Sequence, residues 1–160
     1  MIGIMSDTHD NLHAVRKAVR FFLDMKCCLV IHAGDFVAPF TAQELGLLAC
    51  PVKAVFGNCD GEKRGLEKAL HPFGEIKKAP FIFSHGQKKI LITHVPFSIK
   101  KYADSGQYGV IIFGHTHKPE IQKRSRSLLI NPGETGGWVS GESTVALLDT
   151  EGWEAEIATL

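Results

Sequence analysis

Five short segments hold the residues suited to chemistry. They are Asp7-Thr8-His9, Gly34-Asp35, Gly57-Asn58-Cys59-Asp60, His94 and Gly114-His115-Thr116-His117. Their side chains offer imidazole nitrogens, carboxylate oxygens and an amide oxygen, the donors that borderline and hard divalent cations take. No thiolate is needed. The pairs D-x-H and H-x-H can each present two donors to one side of a turn. Asp35 carries two oxygens and can bridge two ions. The seven candidate donors are Asp7, His9, Asp35, Asn58, His94, His115 and His117. Seven exceed the needs of a single zinc and match two ions with open coordination positions.

These residues follow apolar runs. Ile2 to Ser6 reads as a buried strand that leads into Asp7. Cys27 to His32 is a second strand ahead of Gly34-Asp35, and Val52 to Phe56 is a third ahead of Gly57-Asn58. Lys88 to Thr93 ends at His94, and Tyr108 to Phe113 ends at Gly114-His115. In open α/β sheets ligands bind beyond the carboxyl ends of the strands. The glycines at 34, 57 and 114 suit tight strand-to-loop turns.

The connecting elements follow from hydrophobic spacing. Asn11 is expected to cap a helix from Leu12 to about Met25, with Leu12, Val15, Val19 and Phe22 on one face. A second helix should open at Pro39 and reach about Ala49, and a charged third should run from Glu62 to Leu70. This β-α-β-α-β order favours a parallel sheet. The second half reads as hairpins. Phe81–Phe83 pairs with Lys88–Thr93 across Ser84–Gln87, Ile121–Arg124 with Ser127–Ile130, and Thr144–Asp149 with Trp153–Ala158. A short helix is expected over Pro96–Ala103. The expectation is an α/β fold, a four-layer α-β-β-α sandwich of two mixed sheets flanked by helices. All 160 residues are expected to form a single domain, 1–160.

Composition narrows the function class. Lys and Arg number 18 against 17 Asp and Glu, so no charge excess draws in nucleic acid or an anionic membrane. No apolar run approaches the roughly 20 residues of a membrane helix, and the opening residues lack the basic start of a signal peptide. The four cysteines, at 27, 28, 50 and 59, form no C-x-x-C pair. Reduced thiols in a cytoplasm are the simplest reading.

Four further histidines suit other roles. His13 falls one turn into the first helix, on its surface or behind the site. His32 lies within a strand and reads as a packed core residue. His71 closes a helix before Pro72, and His85 falls in the first hairpin turn. Phe36, Val37, Phe40, Phe97 and Trp138 lie near loops, where they could form an interface between copies of the chain.

The five segments resemble the calcineurin-like metallophosphoesterase superfamily, whose pattern is D-x-H, G-D, G-N-x-D or G-N-H-E, a histidine after a strand, and G-H-x-H. They span residues 7 to 117. Asn131-Pro132-Gly133-Glu134 resembles the loop that follows in small members. The short length and the Asn58-Cys59-Asp60 form resemble the small prokaryotic phosphodiesterase branch.

The resemblance implies that Asp7, His9 and His117 hold one ion, that Asn58, His94 and His115 hold the other, and that Asp35 bridges them. It implies hydrolysis of a small-molecule phosphodiester by water activated between two metals, with Asp35, Asn58 and His94 catalytic and Asn58 and Cys59 against the substrate. Mn²⁺ is the first choice of ion for a mixed oxygen and nitrogen set, with Zn²⁺, Ni²⁺, Mg²⁺ or Fe as alternatives. Many members have a histidine after the asparagine, proposed to protonate the leaving oxygen. This chain has Cys59 there, and Asp60 beside it is expected to position the loop. The alternative is a protein-interaction scaffold on the same fold, as in the retromer subunit, for which the seven candidate ligands would be expected to be lost.

Overall fold

Alternation along the strands decides the layering. The computed structural model describes residues 1–160. Strands β1 (Ile2–Met5), β2 (Leu29–His32), β3 (Val52–Val55) and β4 (Gly74–Lys77) run parallel in one sheet. Strands β10 (Thr144–Leu148) and β11 (Ala155–Thr159) extend it antiparallel, in the order β11-β10-β1-β2-β3-β4. The second sheet contains β5 (Phe81–His85), β6 (Lys88–Ile92), β7 (Val110–Ile112), β8 (Glu120–Arg124) and β9 (Ser127–Asn131). Its order is β5-β6-β7-β9-β8, with a parallel centre and antiparallel edges.

Every second residue of these strands points between the sheets. Ile2, Ile4, Leu29 and Ile31 of the first sheet meet Ile90, Ile92, Val110, Ile112, Leu128 and Ile130 of the second. The opposite parity faces helices. Val30, Ala54, Val145 and Leu147 lie beneath α1 (Leu12–Asp24), α2 (Pro39–Leu45) and α3 (Lys63–Leu70). Leu91, Ile111 and Leu129 lie beneath α4 (Ile99–Asp104) through Ala103. The four-layer sandwich expected from the sequence is therefore observed.

Helix α1 shows why the chain folds this way locally. The Asn11 side chain accepts the Ala14 N–H at 3.3 Å and caps the first turn. Val15, Ala18, Val19 and Phe22 follow at helical spacing and are all buried. Truncating Phe22 to alanine would cost about 3–5 kcal/mol. Lys26, at φ +51, takes the left-handed conformation that ends the helix.

The structure departs from the sequence expectation at some edges. Strand β4 was not expected, because Gly74-Glu75-Ile76-Lys77 buries only Ile76. Helix α2 stops at Leu45 rather than near Ala49, since Gly46 to Leu48 close back onto its last turn. Strand β5 continues through His85, so the turn narrows to Gly86-Gln87. Cys27, Cys28 and Trp153 lie outside strands. Phe36 is fully buried instead of forming a loop surface, whereas Phe40, Phe97 and Trp138 are exposed.

Candidate metal centre

The parallel strands of both sheets end at one edge, and hydrogen bonds cross there between the sheets. The His94 ring Nδ1–H, after β6, donates to the Ala33 carbonyl after β2 at 2.8 Å. The His115 N–H, after β7, donates to Asp7 Oδ2 after β1 at 3.1 Å. These contacts join loops that are far apart in sequence.

The backbone turns sharply as it leaves β1, β2 and β7. Asp7, His9, Asp35, His115 and His117 all have positive φ, at 52°, 42°, 60°, 71° and 60°. Aspartate is among the side chains that tolerate this region best, and histidine is enriched there too. Five such residues at one edge mark stored backbone strain, a feature that gathers at functional sites. Val37, at φ +86, is a β-branched residue in the same region. Its N–H is held at 2.8 Å by buried Asp60, which also accepts from Gly57 N at 2.7 Å and Asp35 N at 3.2 Å. Asp60 thus fastens two site loops together, as expected.

Two glycines leave space for the donors. At Gly34, φ +103, a Cβ would lie 2.7 Å from His94 Nδ1. At Gly57 a Cβ would fall on the Asp35 carboxylate.

Two donor groups result. In the first, His9 Nε2 and His117 Nε2 lie 3.9 and 3.5 Å from Asp7 Oδ1. In the second, His94 Nε2 lies 3.2 Å from Asp35 Oδ2 and 2.9 Å from Asn58 Oδ1. Asp35 joins the groups, because its Oδ2 is also 3.8 Å from His9 Nε2. His115 stands beside the second group, its ring centroid 5.2 Å from that of His94. Cys59 Sγ adjoins both, as one of three donor atoms with His9 and Asp35 that lie within 4.8 Å of one another. Asn58, Cys59 and His115 are exposed, so the edge opens to solvent.

The donor set fits divalent cations. His94 gives its only ring proton to Ala33 when neutral, so Nε2 then presents a lone pair toward the oxygens of Asp35 and Asn58. With Asn58 Oδ1 turned toward His94, a cation, proton or metal, satisfies all three atoms. His9 Nε2 is buried, faces two carboxylates and makes no hydrogen bond. Two donors about 2.1 Å from one ion are no more than about 4.2 Å apart, a range that contains the separations seen here.

The charges follow from burial and partners. Burial pushes the Asp7 carboxyl above its usual value, and Ser6, the nearby His94 and His117 and the His115 N–H only partly offset it. Burial acts on Asp35 in the same direction, yet His94 and the Cys59 N–H hold it well below the carboxylate range. Burial lowers His94, but Asp35 and Asp7 outweigh it and raise the imidazole. The Cys59 thiol is pushed up by desolvation and then by the Asp35 charge.

The residues behind this shell lock it. Fully buried His32 accepts the Gly34 N–H on Nδ1 at 3.1 Å, so its Nε2–H is left for Thr8 Oγ1 at 3.0 Å. Thr8 Oγ1 in turn donates to the Asp35 carbonyl at 3.2 Å. Burial keeps His32 well below its ordinary value, hence neutral. Phe36 stacks on it with centroids 3.5 Å apart. His32 is thus a satisfied core histidine, as the sequence suggested. Asn131 donates to Gly114 O at 3.2 Å and Thr116 Oγ1 at 2.9 Å, which sets the Gly114–His117 turn.

Glu134 was given no role from sequence. It is fully buried, and its Oε1 lies 3.3 Å from His117 Nδ1, though off the axis of a hydrogen bond. Its oxygens accept the N–H groups of Trp138, Val139 and Ser140 at 2.9, 3.0 and 2.7 Å. Burial would raise this carboxyl, but the Ser140 and Val139 N–H groups and the nearby His117 lower it. The sequence signal was the resemblance of Asn131-Pro132-Gly133-Glu134 to a family loop, which gave Glu134 no role.

Fold and site together define a metallophosphoesterase. Residues 1–152 match the calcineurin-like phosphoesterase superfamily domain, and the chain belongs to that family. It is 38% identical to phosphodiesterase MJ0936 of Methanocaldococcus jannaschii, over 94% of this chain and 93% of the relative. The solved structure of an archaeal phosphodiesterase superposes with a TM-score of 0.94, at 38% identity and 99% coverage of both chains. The fold is also that of Chaetomium thermophilum Vps29, with a TM-score of 0.72 at 16% identity, over 99% of this chain and 95% of the other.

Proposed function

We propose that this protein is a phosphodiesterase that holds two divalent ions per chain. One observation carries this reading: His94 Nε2 lies 3.2 Å from Asp35 Oδ2 and 2.9 Å from Asn58 Oδ1, and none of these three atoms donates once His94 is neutral. Asp7, His9 and His117 would hold one ion, Asn58, His94 and His115 the second, and Asp35 would serve both. Mn²⁺ is proposed for the mixed oxygen and nitrogen set. The protein works as a single domain in the cytoplasm, in keeping with its four free cysteines. The similarity to phosphodiesterase MJ0936 supports the substrate class.

When bound, divalent ions supply Lewis-acid stabilisation of phosphoryl oxygens and a water of lowered pKa. The chain's own residues do the remaining work. Asp35, kept ionised, holds the two donor groups in register. The Ala33 carbonyl fixes the His94 tautomer so that Nε2 faces the site. Asn58 lies where the diester enters from solvent. Cys59 keeps its thiol proton, and its N–H fastens Asp35 Oδ1 at 2.7 Å. A thiol pushed upward is a weak proton donor at neutral pH, so diesters with good leaving groups are the favoured substrates.

The test uses chelator-stripped protein with Mn²⁺, Mg²⁺, Zn²⁺ or Ni²⁺ restored one at a time, assayed on a chromogenic diester beside its monoester. Metal-restored diester turnover that falls more than about a hundredfold in Asp35→Asn is the expected result. Full activity in that variant would refute the bridging role. Protein that binds two ions and hydrolyses neither ester would leave a narrower substrate or a binding role.

A further inference from the structure

We infer that Trp138 is the wall of a subsite for a planar aromatic ester group of the substrate, of which a nucleobase is the biological example. This rests on the phosphodiesterase reading above. The loop from Glu134 to Ser140 is fastened from several sides. Glu134 holds the N–H groups of Trp138, Val139 and Ser140 from beneath. Asn11 Nδ2 donates to the Gly136 carbonyl at 2.6 Å, and the Gly136 N–H donates to the Asp7 carbonyl at 3.0 Å. The Trp138 indole Nε1–H donates to the His9 carbonyl at 3.2 Å. One edge of the indole is therefore tied to the backbone of a candidate ligand residue. The side chain is nevertheless 66% exposed.

The loop thus holds a large apolar ring in a fixed place with its face open to solvent. Its place beside His9 limits what can cover it. The proposal places one ester group of a diester bound at the metal centre against this loop, beside His9. Stacking suits a planar group, because the indole face offers polarisable area and its only polar atom is already bonded to His9. A small alkyl group gains little there. Stacking of this kind tolerates any base.

Two kinetic comparisons and one spectroscopic one test this. Metal-restored protein is assayed on bis(4-nitrophenyl) phosphate and methyl 4-nitrophenyl phosphate, which share a leaving group. In Trp138→Ala the ratio of kcat/KM between the aryl and methyl esters should fall roughly tenfold, with the loss in KM. Trp138→Phe should keep most of the ratio, since it can stack but cannot bond to His9. Equal losses on both esters, or equal losses in the Ala and Phe variants, would assign Trp138 to positioning His9 and overturn the inference.

Trp153 is the only other tryptophan, so Trp153→Phe leaves Trp138 as the sole indole reporter. Adenosine 5′-monophosphate should quench it saturably, and ribose 5-phosphate should not. No quenching, or equal quenching by both, would also overturn the inference. If the wild type hydrolyses neither ester, the phosphodiesterase reading fails by itself and the fluorescence titration still decides the subsite.

Discussion

Asp35 and His94 form an ion pair across the two sheets, with Oδ2 and Nε2 3.2 Å apart and both side chains only 2% exposed. Asp35 leaves β2 and His94 leaves β6, so the pair ties the sheets at the edge where the other donors gather. The proton on Nε2 occupies the place proposed for a metal ion. Proton and metal therefore compete.

That competition sets a pH dependence. His94 is raised from 6.5 in the metal-free protein, so its stabilisation is complete below pH 6.5 and is lost as pH climbs through the raised value. Asp35 is depressed from 3.8, so its contribution holds above that value and is lost only in strong acid. Asp7, raised by burial, adds to the decline as pH rises above 3.8. His32, kept neutral by burial, acts oppositely but only below 6.5. The Tm of chelator-treated protein should therefore fall as pH rises above about 6.5. Saturating metal should widen the gap over the same range, because binding needs neutral imidazoles. Calorimetry with and without chelator checks this, and a flat chelator-treated profile would contradict it.

Glu134 should act on the Asp7, His9 and His117 group through His117. Carboxylates behind ligand histidines fix the ring and raise its basicity, and losing one costs 10- to 100-fold in metal affinity in typical sites. Glu134→Gln keeps the shape and an oxygen for the loop but removes the charge facing Nδ1. Metal titration should show one of two sites weakened by about that factor, with the other intact. Equal weakening of both sites would point to general loosening instead.

Much of this was legible in the sequence, for a physical reason. Strands such as Ile2–Met5 and Lys88–Ile92 read as short apolar runs, and the donors follow within a few residues of where those runs end. Residue type and local order carry that information. The layer behind the donors was harder to read, because its partners are backbone groups distant in sequence. Glu134 binds N–H groups and faces His117, none of which a carboxylate announces in advance. The hydrophobic setting of His32 marked it as core, but not that it joins Thr8 to Gly34. Strand β4 stayed hidden because a sheet edge with one buried side chain leaves almost no pattern.

The His32 link can be measured as stability. In His32→Phe the ring can still stack on Phe36, but the buried Gly34 N–H loses its acceptor. An unsatisfied buried donor costs about 1–3 kcal/mol, or roughly 3–10 °C in Tm for a chain of this size. Scanning calorimetry in chelator should show that drop. An unchanged Tm would mean that the Gly34 N–H finds another acceptor.

Cys59 offers a test by gain of function. Many members of the family have a histidine here, and the thiol that stands in its place is pushed upward by desolvation and by Asp35. General-acid catalysis matters most when the departing oxygen is basic, and typically contributes 10²- to 10⁴-fold. Cys59→His should therefore raise kcat for dialkyl or alkyl-leaving diesters by about tenfold or more. It should change 4-nitrophenyl esters little, because nitrophenolate leaves without a proton. The pH profile for the alkyl esters should also gain a falling limb on the alkaline side, where the new imidazolium loses its proton. Equal acceleration of both ester types, with no new limb, would show that the histidine works by position or metal affinity rather than by protonating the leaving group.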